Sequence, residues 1–136
     1  MPDTAPMVRK LEAAHEALGA LVNGDTIVGE APFAGTVTGV SYTPEANITG
    51  AASPASRTLS LINKGQDGNG ATVVATLALV GGVNPADFDE MALTLSGTPA
   101  NLVVAAGDVL AFNSLAVGGT GLADPGGKVE VTIARS

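Results

Sequence analysis

From residue 25 to the C-terminus, apolar residues recur at every second position in short runs that Gly, Pro, Asn and Asp interrupt. In 36–42, Thr38, Val40 and Tyr42 share one face and Val37 takes the other. In 57–63, Leu59 and Leu61 share a face, and in 128–134, Val129, Val131 and Ile133 alternate with Lys128, Glu130 and Thr132. This period of two is the signature of half-buried strands. The run 72–80 is the most apolar of the chain, as expected of a central strand covered on both faces. Residues 26–29 make a short strand that Ala31-Pro32-Phe33 ends or confines to a sheet edge. Residues 91–95 read as another strand, and 85–90 as one short helical turn.

The stretch 101–114 organises this pattern. Two strand segments, one with Leu102 and Val104 and one with Leu110 and Phe112, meet at Ala106-Gly107-Asp108. Glycine accepts a positive φ and aspartate bonds nearby amides, so a hairpin-like corner is predicted, with Asp108 as turn-former. Together these runs predict about eight strands in an all-β, jelly-roll-like β-sandwich. Residues 44–56, 64–70 and the glycine-rich 118–127 read as loops, the last long enough to be a surface or contact loop.

Residues 1–24 differ in period. Met7, Leu11, Ala14, Leu18 and Leu21 fall at spacings of four and three, which predicts a short N-terminal helix or arm ending at Asn23-Gly24. The expected division is a helical arm at 1–24 and a β-sandwich domain at 25–136. The arm is too short to be stable alone, so it must pack on the domain, on a copy of itself or on a partner.

Composition sharpens the picture. The 136 residues are 46% hydrophobic but only 3% aromatic, without tryptophan, so Val, Leu, Ile and Ala must fill the core. The net charge of −7 makes nucleic acid and anionic membrane poor partners. Without cysteine there are no disulfides or thiolate metal sites. The acidic start, with no long apolar run after it, reads as a soluble product made in the cytoplasm.

No pattern points to catalysis, a cofactor or a metal. His15, the single histidine, reads as a solvated side chain beside Glu12 and Glu16. Asp87, Asp89 and Glu90 are dense, but they match no established Ca²⁺ loop. The glycines of 118–127 lack the GxxxxGK[ST] order of a phosphate loop. Asn47-Ile48-Thr49 is a glycosylation sequon that matters only in a secreted chain. Tyr42, Phe33, Phe88 and Phe112 are few rings for stacking on sugars. A structural or interaction module remains.

Several segments resemble capsid decoration (head cement) proteins of tailed bacteriophages infecting actinobacteria. They are APFAGTVTGVSYTPE at 31–45, RTLSLINKG at 57–65, TVVATLA at 72–78, LVVAAGDVL at 102–110 and DPGGKVEV at 124–131. The resemblance implies a non-enzymatic protein that binds the outside of an assembled head and bridges coat subunits. It further implies a homotrimer, with the major capsid protein as partner and the outer virion surface as location. Met7, Leu11, Leu18, Leu21, Phe33, Asp124 and Pro125 are the candidate capsid or subunit contacts. The alternative function is a receptor- or glycan-binding head domain of a phage fibre or surface protein.

Overall fold

Alternation along the chain becomes two antiparallel sheets in the computed structural model, which describes residues 7–52 and 55–136. The strands are β1 (Val8–His15), β2 (Gly24–Glu30), β3 (Gly35–Pro44), β4 (Ser56–Gly65) and β5 (Thr72–Leu79). They continue with β6 (Met91–Ala92), β7 (Thr94–Leu95), β8 (Val103–Val104), β9 (Val109–Val117) and β10 (Gly127–Arg135), and one 3-10 turn spans Pro99–Leu102. The first sheet runs β1-β10-β3, with β6 and β8 on separate parts of the far edge of β3; the second runs β2-β9-β4-β5-β7.

The pairing is nested. β1 pairs with β10, β2 with β9, β3 with β8 and β4 with β5, all antiparallel. A long hairpin folded this way, its strands dealt alternately to two sheets, is a jelly roll. Inward residues Val37, Val40, Val129, Val131 and Ile133 of the first sheet face Leu59, Leu61, Val74, Leu79, Leu110 and Phe112 of the second. Tyr42 stacks on Phe112 with ring centroids 5.2 Å apart, so two of the four aromatic rings join the sheets.

The N-terminal helix is not formed. Residues 8–15 are strand β1, paired over its whole length with β10, while residues 1–6 lie outside the described region. The segment carries two periods: the helical stripe, and an alternation that turns Leu11, Ala13 and His15 inward against Glu12 and Ala14. Pairing with β10 supplies backbone hydrogen bonds and buries Leu11 against the core, which an isolated helix of this length cannot match. The expected boundary at residue 24 therefore cuts through a sheet, since β1 is an integral strand of the sandwich.

Five smaller expectations also change. A bulge opposite Thr132 and Ile133 turns Val37 inward with Val40 and Tyr42 and leaves Thr38 exposed. β5 is covered on one face only, with Val73, Thr76 and Ala78 exposed on the other. Residues 85–90 form a braced turn with Phe88 at φ 60°, not a helical turn. The 101–114 corner has its turn at Gly107 (φ 89°) and Asp108, as read. Its arms, however, belong to different sheets, β8 to the first and β9 to the second, so the corner is a crossover. Within 118–127, Leu122 and Asp124 are buried, because Leu18 and Asp124 exchange two backbone hydrogen bonds that fold the loop onto the β1–β2 connection. Gly121 (φ 68°) and Gly126 (φ 85°) permit that approach: a Cβ at either would strike the backbone of the connection.

Candidate functional site

Strand parity decides which polar residues point inward. Arg57 shares the parity of Leu59 and Leu61, Ser114 that of Leu110 and Phe112, and His15 that of Leu11. All three are buried, and they converge on Asp124, which is 2% exposed. His15 Nε2 lies 2.9 Å from Asp124 Oδ2, and the Ser114 hydroxyl donates to the same oxygen at 2.7 Å. The Tyr42 hydroxyl and the Gly126 amide donate to Oδ1 at 2.5 and 3.0 Å. Arg57 donates to Ser114 Oγ at 3.0 Å and to the carbonyls of Leu122, Val22 and Gly19 at 2.7, 3.0 and 2.8 Å. This clamp ties β1, β3, β4 and β9 to both connecting loops.

The buried charges are compensated. Burial pushes the Asp124 carboxyl up, but the hydrogen bonds from His15, Tyr42, Ser114 and Gly126 outweigh it and hold the group at about 2. Burial, and then donation to the Asp124 carboxylate, push the Tyr42 phenol far above its usual value. Burial lowers Arg57, an effect that the negative charge of Asp124 opposes. No buried side-chain polar atom among the described residues lacks a partner. A half-satisfied network of this size would be worse than an apolar core; a complete one fixes the register of the strands that carry it.

Thr26, His15 and Asp124 stand in line, with Thr26 Oγ1 2.7 Å from His15 Nδ1. That connectivity matches a hydroxyl–imidazole–carboxylate relay. Here Thr26 pairs opposite the buried Phe112, inside the sandwich, and the groove described below is lined by other residues. The arrangement reads as packing.

The outer faces of the two sheets differ. On the first, neighbouring rows hold Lys10 opposite Thr132, Glu12 opposite Glu130, and Ala14 opposite Lys128. Lys128 Nζ reaches Glu12 at 3.3 Å and Glu130 at 3.0 Å. On the second, one row across four strands reads Ile27, Ala111, Ile62, Val73. Ile27 is 71% exposed and Val73 43%. The adjacent row, Asp25, Asn113, Ser60, Thr76, bonds within itself, Asn113 to Asp25 at 2.6 Å and Ser60 to Thr76 at 3.3 Å. Beyond it come Leu115, Thr58 and Ala78. Charge is confined to the margins, at Asp25 and Glu30 on the edge strand β2 and Lys64 near the end of β4.

A groove of about 500 Å³ crosses the strand ends of the first sheet, lined by Glu12, Ala13, Ala14, Thr43, Pro44, Glu45, Phe88, Gly127 and Lys128. Phe88 is 74% exposed. Its loop is braced: Ile48 N–H donates to Pro85 O at 2.9 Å, Asp87 N–H to Asn47 Oδ1 at 2.8 Å, and Phe88 N–H to Pro44 O at 2.8 Å.

The seven contact candidates are scattered. Met7 and Leu21 are exposed, Leu11 and Pro125 half-buried, and Leu18 buried. Phe33 is half-buried, with the Arg135 guanidinium 5.7 Å from its ring centre. Asp124, expected at the surface, is the centre of the clamp, and His15, expected to be solvated, is buried beside it. The neutral row and Phe88 were missed from the sequence. Parity could have found the outward Ile62, opposite Leu59 and Leu61; nothing local marks Phe88.

No family model matches the sequence, and no curated protein matches it. Among solved structures, a chain from the structure of infectious bursal disease virus, Gx strain, matches with a TM-score of 0.36 and 12% identity. The match covers 96% of this chain and 32% of that one, so this chain spans about a third of its length. At that TM-score the likeness carries no functional argument.

Proposed function

We propose that this protein is a non-enzymatic capsid decoration protein, which binds the outer surface of an assembled phage head and bridges coat subunits. The observation that carries the reading is the outer face of the second sheet, where a chain of net charge −7 presents a row of Ile27, Ala111, Ile62 and Val73. The apolar row can be dehydrated at low cost, and hydrogen bonds between Asn113 and Asp25 and between Ser60 and Thr76 lessen the polar demand of the row beside it. The segments that resemble head cement proteins supply β3, β4, β5, the β8–β9 corner, Asp124 and most of β10, which make the scaffold beneath that face.

In this reading the major capsid protein is the partner, and the protein acts as a homotrimer on the virion exterior. Several modest contacts then act together, so the avidity of a trimer exceeds that of one face. A negative surface suits an exterior that never touches the genome.

Co-sedimentation with undecorated heads tests the proposal. Purified protein at low micromolar concentration should pellet with the heads and reach saturation at a fixed ratio to coat subunits. A folded protein that stays in the supernatant at every concentration would refute it.

A further inference from the structure

The groove across the strand ends of the first sheet is separate from the neutral face and has the opposite character. Much of its lining is small and apolar, from Ala13, Ala14, Gly127 and Pro44, and the ring of Phe88 lines it beside them. A bulky residue at φ 60° is rare, and here hydrogen bonds hold the segment in place from Pro44 and Asn47. The braced backbone thus points the ring outward, at 74% exposure, in a protein with only four aromatic side chains.

The rim is acidic. Glu12 and Glu45 line the groove, and exposed Asp87 and Asp89 flank Phe88 in the chain. The one cation in the lining, Lys128, is already engaged by Glu12 at 3.3 Å and by Glu130 at 3.0 Å. Negative charge around an apolar floor complements a positive ligand that also has apolar groups to bury.

We infer that this groove binds an extended peptide segment of a partner protein in which a basic residue neighbours an apolar one. The apolar side chain lies against Phe88 and the alanine floor, while the basic group meets Glu45 and Glu12. A neutral sugar could stack on Phe88 and bond Glu45, but it carries no positive charge to match the acidic rim. The inference stands apart from head binding: the groove and the neutral face share no residue.

The test is an amide chemical-shift titration of the isotope-labelled full chain with two capped pentapeptides, Leu-Arg-Leu-Arg-Leu and Leu-Glu-Leu-Glu-Leu. The arginine peptide should shift the amides of Ala14, Thr43, Glu45, Phe88, Gly127 and Lys128, and the glutamate peptide should not. Phe88→Ala and Glu45→Gln should each weaken the arginine peptide about tenfold. Because Phe88 is so exposed, both variants should fold; Phe88→Gly, which also relieves the backbone, guards against a misfolded alanine variant. Equal shifts from both peptides would reduce the groove to an unselective apolar surface and overturn the inference. So would shifts confined to other residues, or a stronger response at these amides to maltotetraose than to the arginine peptide.

Discussion

The two outer faces are made by the same device, a strand face turned from the core, yet they are opposite in chemistry. The first sheet sets Glu12 directly opposite Glu130, a pairing that repels, and relieves it with Lys128. Stripping water from these three charges is costly, so the face is a poor seat for a broad, dry contact. The second sheet puts Ile27, Ala111, Ile62 and Val73 in one row and pairs its polar groups among themselves. Water leaves that face cheaply. Net charge alone therefore does not describe this surface: a chain of −7 carries one face with an apolar row and its charges at the edge.

Both faces hang on the clamp at Asp124, and removing it should bring the largest effect. Asp124→Ala leaves His15, Tyr42 and Ser114 buried without their acceptor and Arg57 without its countercharge. We expect a loss of about 3–5 kcal/mol in urea unfolding, with both sheets losing hydrogen-exchange protection together. If only one sheet loosens, the clamp does not join the faces. The same group sets the acid limit. Its folded value of about 2 lies below the unfolded value of about 3.9, so its contribution is complete above pH ~4. That contribution, about 2.5 kcal/mol, is lost as pH falls from ~4 to ~2. A stability profile flat across that window would contradict the assignment.

Next in size is a charge placed on the neutral face. Ile62→Glu should weaken head binding by roughly 2–3 kcal/mol while the chain stays folded, because a lone carboxylate would be buried in the contact. Lys10→Glu on the first face should change binding by less than about twofold. Equal losses from both changes in a pelleting isotherm would erase the distinction between the faces. Phe88→Gly should raise stability by about 1 kcal/mol, since glycine adopts φ 60° without strain and little burial is given up. Thermal unfolding would show it. The smallest effect is expected at Lys128→Ala, which leaves Glu12 facing Glu130. It should lower the melting temperature slightly in low salt, and the difference should vanish as salt is added.

Much of the sandwich was legible, because burial on one face writes a period of two that Leu59, Leu61, Val129, Val131 and Ile133 display without ambiguity. The turn at Gly107-Asp108 was legible too: Asp108 Oδ2 accepts from the Ala105 amide at 2.9 Å and from Asn63 at 3.0 Å. Residues 8–15 misled because their spacing satisfies two periods, and the partner that decides between them, β10, lies over a hundred residues away. The clamp escaped for the same reason. His15 and Asp124 are 109 positions apart, and each taken locally resembles a surface residue. The Phe88 segment is braced by hydrogen bonds that the Phe88 and Asp87 amides donate to Pro44 and Asn47, which no neighbouring residue announces.

A density map of decorated heads would show which face meets the shell. We expect one jelly roll per binding position with the outer face of β2, β9, β4 and β5 turned to the shell and Ile27, Ile62 and Val73 in contact with coat subunits. Density that places the Lys10–Glu12–Lys128–Glu130 face against the shell, or none at saturating protein, would contradict it.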